Sequence, residues 1–148
     1  MKVRPAAFSD CDRLIRLFRQ LGYAIDAPSL RAGLLAYDGS DSDLALVGEM
    51  SAQVVGAIVL HVLSPLHEPG KWGRISALVV DENMRRRGIG TELLHAADDF
   101  FISRECTRVE LTSSERRLDA HRFYLANGYE IRSKHFVKHY PNARKTRD

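Results

Sequence analysis

The stretch from Ile75 to Ala97 constrains the fold more than any other part of the chain. It begins as an apolar, β-branched run, passes through a basic turn that holds Gly88 and Gly90, and ends in an amphipathic helical pattern. Backbone N–H groups at a helix N-terminus bind phosphates, and the helix dipole adds roughly half an elementary charge there. Glycines let the backbone approach such an anion closely. The pattern therefore predicts a site for a phosphorylated cofactor, with further charge from the arginines of the turn.

Two other glycine-rich loops do not fit this spacing. A dinucleotide-binding fingerprint needs a small residue three places after its second glycine, where this chain has Leu93. A nucleotide-triphosphate loop ends in Gly-Lys-Ser/Thr, whereas Gly90 is followed here by Thr91 and Glu92. The alternatives left are a phosphate loop of another kind and an arginine cluster on a solvated turn.

Chain size and charge predict one soluble domain. A chain of 148 residues can bury a core without metal or disulfide staples, and 45% hydrophobic with 28% charged residues is ordinary for a globular protein. The net charge of +3 is mild, and much of the basic excess lies near the C-terminus. We therefore expect a domain over residues 1–140 and a solvated basic tail over 141–148, with no nucleic-acid partner.

Cysteine usage and hydropathy bear on location. Cys11 and Cys106 have no close pairing motif, which is typical of reduced thiols in a cytosolic protein. The chain opens with no basic-then-apolar leader, and no apolar run reaches the ~18 residues that a membrane span needs. We expect a cytoplasmic protein with no membrane partner.

The periodicity of the apolar residues predicts an α/β sandwich with a mixed sheet. The first helix is expected to begin at a capping box of Ser9 and Asp12 and to stop at Gly22. Further helices are expected near Pro28, after the glycine turn, and after a cap at Asp119. The predicted strands cover residues 2–5, 44–49, 53–63, 72–80, 109–112, 129–132 and 135–140.

Two motifs resemble the GNAT superfamily of N-acetyltransferases. Arg85-x-x-Gly88-x-Gly90 after a strand resembles its acyl-CoA pyrophosphate loop, and the segment from Asp119 to Tyr129 resembles its helix ending in FY…GY. One helix and one strand separate the two motifs, and the likeness runs from residue 1 to about residue 140. It implies a GNAT-like α/β fold with a mixed, mostly antiparallel sheet flanked by helices on both faces. It also implies acetyl-CoA as cosubstrate and a homodimer, which is common in the family.

Within the superfamily, the chain looks like the aminoalkylphosphonate N-acetyltransferases. The shared features are Leu60-His61, Leu66-His67, Trp72, the strand Leu78–Val80 and the motif from Asp119 to Tyr124. The resemblance implies that acetyl passes to the primary amine of a small molecule, with aminoalkylphosphonates as a first class to consider. Direct attack in a ternary complex is expected, because no cysteine lies in the motifs to carry a covalent intermediate.

The resemblance further implies which residues hold the cofactor. Its phosphates would lie on backbone amides of the glycine turn, its pantetheine arm beside the preceding strand, and its thioester carbonyl near the N–H of Val79 or Val80. Ser114 stands where relatives often have an asparagine, while a turn cap is the alternative for Ser114 and a surface position for Arg117 and His121. The implied cofactor-binding residues are Leu78, Val79, Val80, Arg85, Arg86, Arg87, Gly88, Ile89, Gly90, Thr91, Ser114, Arg117, His121 and Tyr124.

Tyr124 is the expected catalytic residue, acting as general acid on the departing thiolate. Phenols titrate near ~10 and thiols near ~8.5, so this proton transfer is feasible within hydrogen-bond reach. An ordinary core aromatic beside Phe123 is the alternative. The base is open, because Ala77 stands where many family members carry a glutamate. The candidates are Ser76 or Glu49 acting through water, His61, His67, and an amine that binds already neutral.

Several functions stay open beside the small-molecule acetyltransferase. Ala77 favours a non-catalytic acyl-CoA sensor or partner subunit, while the basic C-terminus favours a protein-lysine or nucleic-acid-associated acetyltransferase. Arg74 could pair with an acidic or phosphonate group of the substrate. No metal is expected, because the pairs His61/His67 and His135/His139 lack a recognised zinc spacing and a clear third ligand.

Overall fold

A single sheet organises the N-terminal part of the computed structural model, which describes residues 1–113, 118–132 and 135–141. The chain divides into two compact units, Met1–Glu110 and a second that begins at Leu111. Among the described residues, no helix combines the length and the apolar character that a membrane crossing requires. The elements of the first unit are β1 (Lys2–Pro5), α1 (Cys11–Leu21), α2 (Ala27–Tyr37), β2 (Asp43–Met50), β3 (Gln53–Leu63), β4 (Lys71–Val80), α3 (Ile89–Ser103) and β5 (Cys106–Glu110), and the second unit holds α4 (Leu118–Ala126).

The sheet is mixed and mostly antiparallel, which confirms the predicted fold class. Its five strands follow chain order, with antiparallel pairs from β1 to β4 and a parallel pair between β4 and β5. Adjacent residues of a strand point to opposite faces. A Cβ at Gly56 would touch Leu93 of α3, whereas Ala57 belongs to a buried cluster that includes Leu14 of α1 and Leu30 of α2. Helices therefore cover both faces.

The start of α1 differs from the prediction. The helix begins at Cys11, directly after a short turn over Phe8–Asp10, and the capping bond forms at the start of that turn between Ala7 and Asp10 instead of between the predicted Ser9 and Asp12. Asp10 accepts the backbone N–H of Ala7 at 2.8 Å and both terminal nitrogens of Arg4 at 2.8 and 2.9 Å. Asp10 therefore ties the turn before α1 to Arg4 of β1, a contact that no local capping pattern reveals.

The C-terminal elements also depart from the prediction. The strand β5 starts at Cys106, three residues before the predicted start, because the left-handed Glu105 (φ 62°) turns the chain directly out of α3. Asp119 lies in the first turn of α4 instead of preceding it. Residues 129–132 and 135–140 form no strand within the described part of the chain, and the side chains of Ile131 and Phe136 are exposed. Their alternation of apolar and polar residues is therefore not matched by burial of one face.

Gly73 permits the close packing of β4 against α3, so we expect Gly73→Ala to destabilise the fold. A Cβ at this position would lie 2.5 Å from the ring of Phe101, which cannot move far because only 4% of that residue is exposed. Overpacking of this kind costs about 1–3 kcal/mol. Urea unfolding measures the loss.

Gly33→Ala is the matched control for this substitution. Gly33 lies within α2, and a Cβ there would meet no atom within 4 Å. Alanine in a helix is favoured over glycine by roughly 0.5–1 kcal/mol, so this variant is expected to be at least as stable as the wild type. Equal stability of both variants would show that the Gly73–Phe101 contact does not restrict the core.

Candidate active site

The loop between β4 and α3 has the geometry of an anion site. After a single turn at Glu82–Met84 the chain turns through left-handed residues, Arg86 (φ 65°) and Gly88 (φ 79°), before α3 begins at Ile89. The N–H groups of the first helical turn have no partner within the helix. The side chains of Arg85, Arg86 and Arg87 are exposed beside them. Free amides, the helix dipole and three cations therefore meet at one point, as a pyrophosphate requires.

The base of this loop is anchored to α1 and β3. Arg13 donates hydrogen bonds to the carboxylate of Asp81 at 2.7 Å and to the carbonyl of Val54 at 2.8 Å. The N–H of Asp81 donates to the carbonyl of Val55 at 2.8 Å, and the N–H of Glu82 donates to the side chain of Gln20 at 3.0 Å. These contacts hold the loop in position before any ligand arrives. The sequence did not reveal them, since Arg13 and Asp81 are far apart along the chain.

The Arg13–Asp81 pair is expected to make stability depend on pH. The Arg13 hydrogen bond, with help from the N–H of Asn83, holds the pKa of the Asp81 carboxyl below its ordinary value. A carboxyl whose pKa is lowered by folding stabilises the fold fully above its unfolded pKa of about 3.9, and this contribution is lost as the pH falls through the folded pKa. We expect the free energy of unfolding to fall on acidification below about pH 4.

Asp81→Asn tests this, because asparagine keeps a side-chain acceptor for Asn83 and removes the charge. Its free energy of unfolding, measured by urea titration between about pH 6 and pH 3, should fall less with acid than that of the wild type. Asp41→Asn, in the exposed loop before β2, is the control and should retain the wild-type slope. Identical slopes in all three proteins would remove Asp81 as a source of acid sensitivity.

Before the loop, the last residues of β4 have no strand partner within Met1–Glu110 on the side that faces β5, and this side of β4 is called the open edge below. The pairing of β4 with β5 ends at Arg74 and Glu110, and the described residues add no further strand to this edge. The N–H of Asp81 points to β3, so the alternation of the ladder directs the N–H of Val79 to β3 as well and that of Val80 away from it. The open edge can therefore offer the amides of Leu78 and Val80 to an extended ligand.

A hydrogen-bonded chain of Asp43, His61 and Ser76 crosses three strands on the α1/α2 face of the sheet. Nδ1 of His61 lies 2.8 Å from Oδ1 of Asp43, and Nε2 lies 2.6 Å from Oγ of Ser76. Leu60 pairs with Ile75 and Val59 pairs with Ala77, so Ser76 is the extra residue of a β-bulge. The bulge brings its hydroxyl to the histidine. The ring of Tyr37 packs edge-on against His61, with 6.1 Å between centroids.

An apolar cavity lies next to this chain, between the sheet and the first two helices. Its volume is about 210 Å³, and Tyr37 connects its wall to His61. Burial, and secondarily the charge of Asp43, raises the pKa of the Tyr37 phenol, which keeps this wall neutral. The lining residues are Leu14, Phe18, Ile25, Ser29, Leu30, Gly33, Leu34, Tyr37, Ala45, Leu46, Ala57 and Val59.

Comparison with known proteins assigns the family. A sequence profile described as the Acetyltransferase (GNAT) family matches residues 11–129, which include the anion loop and Tyr124. The chain belongs to the GNAT acetyltransferase family. It is 32% identical over 138 residues to the aminoalkylphosphonate N-acetyltransferase of Salmonella typhimurium, over 93% of this chain and 90% of that protein. This GNAT protein is therefore an N-acetyltransferase, and enzymes of its family take the acetyl group from acetyl-CoA.

Two further comparisons define the breadth of the likeness. The chain is 34% identical over 100 residues to the N-alpha-acetyltransferase 30 of Xenopus laevis, a match that covers 67% of this chain and 34% of that protein. The crystal structure of a transcriptional regulator from Bacillus halodurans C-125 has a TM-score of 0.84 at 19% identity, over 94% of this chain and 99% of the other. The second likeness concerns the fold alone.

The remaining predicted site residues belong to the second unit. Tyr124 is half-buried on α4, where its ring lies 5.3 Å from that of Phe123 and 5.6 Å from that of Tyr129. His121 lies one turn earlier on the same helix. Ser114 and Arg117 fall outside the described residues, so their roles stay predictions.

The four side chains that were predicted as possible bases differ in their contacts and exposure. Glu49 is bound to Arg4 at 2.7 Å, and its cross-strand partner is Val54, five residues along β3 from the bulge. His67 is exposed in the loop before β4. His61 and Ser76 are the two candidates that are brought together, and Asp43, which was not predicted, is joined to them.

Proposed function

We propose that this GNAT protein transfers acetyl from acetyl-CoA to the primary amine of a small molecule, by direct attack within a ternary complex. The observation that carries the proposal is the pairing of an anion loop with an open strand edge directly before it. In acetyl-CoA a pyrophosphate joins the nucleotide to an amide-containing arm that ends in a thioester. The loop offers amides and cations to the pyrophosphate, and the adjacent strand edge offers amides to the arm.

The loop fits the phosphate end of acetyl-CoA. The backbone N–H groups from Arg86 to Thr91 would donate hydrogen bonds to the pyrophosphate, and the exposed side chains of Arg85–Arg87 would screen its charge. Among the described residues there is space at Gly88, where an added Cβ would meet no atom within 4 Å. Arg13 and Asp81 hold the loop in this form, which reduces the ordering that binding would otherwise require.

The open edge of β4 fits the pantetheine arm and the thioester. An extended arm can pair with Leu78 and Val80 as a partial extra strand. The N–H of Val80 is the proposed donor to the carbonyl oxygen, since that of Val79 serves the ladder to β3. Acetyl-CoA supplies the activated acetyl group, and the Tyr124 hydroxyl supplies the proton that the sulfur needs on leaving.

The acceptor amine is proposed to enter between α1, α2 and the sheet. The apolar cavity there suits a hydrocarbon or aromatic body, and its edge leads through Tyr37 to His61. Arg74 is the cross-strand partner of His61 on the same face, which supports the proposal that its guanidinium meets an acidic group of the acceptor. The Salmonella relative acts on aminoalkylphosphonates by its name, and Arg74 makes the same class a first choice here.

A panel of primary amines tests the function. Release of free thiol from acetyl-CoA should depend on the amine, and mass spectrometry should find one acetyl group on the product. The panel should begin with aminoalkylphosphonates and include alkylamines and arylalkylamines of similar size. Saturable acetyl-CoA binding without thiol release from any amine would favour a sensor instead.

A protein acceptor is the second candidate, favoured by the likeness to an N-alpha-acetyltransferase over two thirds of the chain. Short peptides with free N-termini, and the same peptides with an internal lysine, separate the two kinds of protein substrate. Faster acetylation of any of these peptides than of the whole amine panel would overturn the small-molecule proposal.

A further inference from the structure

We propose that Asp43, His61 and Ser76 form the proton-accepting relay of the acetyl transfer, in place of the carboxylate that is absent at position 77. This inference rests on the proposed function and names the base that the function needs. Amines are largely protonated at neutral pH, and an ammonium has no lone pair with which to attack. Some group must therefore take a proton before the new bond to carbon can form.

The position of the relay follows from the strand register. Ala77 pairs with Val59 and therefore faces the α1/α2 side of the sheet, where the cavity lies. Ser76, directly before it, is the bulge residue, and its bond to His61 shows that its hydroxyl is on that side too. Compared with a carboxylate at position 77, the proposed relay therefore begins one residue away along β4, at Ser76, and its base lies one strand across the sheet, at His61. The bulge makes this possible, because a regular strand would have turned Ser76 to the α3 face.

Access and orientation fit a base that acts through the serine. Ser76 is exposed, whereas the side chain of His61 is 23% exposed, so an amine meets the hydroxyl first. Asp43 accepts a hydrogen bond from Nδ1–H of His61, which fixes the tautomer and leaves Nε2 as an acceptor for the Ser76 O–H. Ser76 is then the catalytic contact, His61 the base behind it and Asp43 a positioning residue.

The proton balance of the relay is simple. An ammonium and a thioester give an amide, a thiol and one proton. That proton passes from the ammonium to Oγ of Ser76 as the serine hydrogen passes to Nε2 of His61, and the imidazolium is stabilised by Asp43. The neutral nitrogen then bonds to the acetyl carbon and the carbon–sulfur bond breaks, with Tyr124 protonating the sulfur. The second proton that the nitrogen loses on becoming an amide returns to the Tyr124 phenolate. His61 returns its proton to water before the next turnover.

Other ionisable groups face the histidine from the elements around it. Tyr37 contacts its ring from α2, Asp43 lies across from it on β2, and Arg74 is its cross-strand partner on β4. These residues contribute one carboxylate and one guanidinium around the ring. The pH dependence of a variant therefore has to be compared with that of the wild type, and an absolute profile does not identify the base.

His61→Gln is the central variant, tested on two amines of different basicity. The first is the best aliphatic amine of the panel, and the second is methoxyamine, which is already neutral at pH 7. We expect kcat for the aliphatic amine to fall by about 100-fold or more at pH 7, from the lower limit of what general bases contribute, with little change in KM. The loss should shrink as the pH approaches the pKa of the amine, and methoxyamine should show little loss. Ser76→Ala should show the same pattern of kcat losses, and the loss in Asp43→Asn should lie between those of the wild type and His61→Gln.

Controls and contrary outcomes separate the relay from simpler roles. His95→Gln, exposed on α3, should match the wild type, and thermal unfolding of each variant should show an unchanged midpoint. An equal loss for both amines at every pH would assign the three residues to structure alone. An acetyl group found on Ser76 by mass spectrometry after acetyl-CoA addition would make the serine a nucleophile and overturn the relay. Full activity of His61→Gln would refute the relay only, whereas a wild type inactive on all amines would refute the proposed function as well.

Discussion

Gly88→Asp is expected to lower acetyl-CoA affinity at least 100-fold, or about 2.7 kcal/mol. The substitution puts a carboxylate beside the amides proposed to hold the pyrophosphate, where it would occupy the positive end of α3 and repel the ligand. Gly88 has φ 79°, and aspartate tolerates this left-handed region better than most residues. Added charge should therefore dominate over backbone strain.

Ligand-dependent stabilisation measures this effect without requiring turnover. A ligand at about 100 times its Kd raises the free energy of unfolding by about 2.7 kcal/mol, and Gly88→Asp should lose nearly all of this gain. Gly39→Asp is a close control, because Gly39 also has a left-handed φ of 72° and no atom within 4 Å of an added Cβ. It should keep the full gain. Undiminished stabilisation of Gly88→Asp would place the pyrophosphate elsewhere.

Tyr124→Phe is expected to reduce kcat by about 10² to 10³, because a general acid contributes roughly that much. Phenylalanine keeps the ring, which lies 5.3 Å from Phe123 and 5.6 Å from Tyr129, so α4 should retain its packing. The KM for acetyl-CoA should change little. Steady-state thiol release at saturating amine is the measurement.

The matched control deletes the neighbouring phenol hydroxyl instead. Tyr129→Phe removes one oxygen from a ring in contact with Tyr124 and should retain most of the activity. Equal losses in the two variants would point to a shared packing effect. Full activity of Tyr124→Phe would exclude the phenol as the acid and leave the family assignment in place.

Much of the fold could be predicted because its strongest local patterns coincide with tertiary burial. The spacing of Cys11 and Leu14 predicts that they share one apolar face of α1, and both are buried in the structure. The anion loop could also be predicted, because two glycines, three arginines and the start of a helix are adjacent in the sequence. Where Ile131 and Phe136 alternate with polar residues, the same kind of pattern predicted strands that are absent from the described residues.

The base could not be predicted because its parts meet only through register. Counting pairs back from the β2–β3 turn places Asp43 beside His61 only after allowing for an irregularity between Gly48 and Glu49. A second irregularity, at Ser76, brings the hydroxyl to the histidine. Neither bulge has a signal in the local sequence, so Ser76 and His61 were separate candidates and Asp43 was missed. Sequence reasoning identified the missing glutamate at Ala77, and the register supplies the proposed replacement.

Calorimetric titration of the purified protein with acetyl-CoA, beside NAD and ATP, tests the central claim most directly. The anion loop and open edge of β4 predict saturable binding of acetyl-CoA at one site, with neither nucleotide reproducing it. Because the arm of acetyl-CoA contributes contacts that NAD and ATP lack, CoA without the acetyl group should also bind. A folded protein that binds neither acetyl-CoA nor CoA would contradict the account, and the loop from Arg85 to Gly90 would then be only a turn.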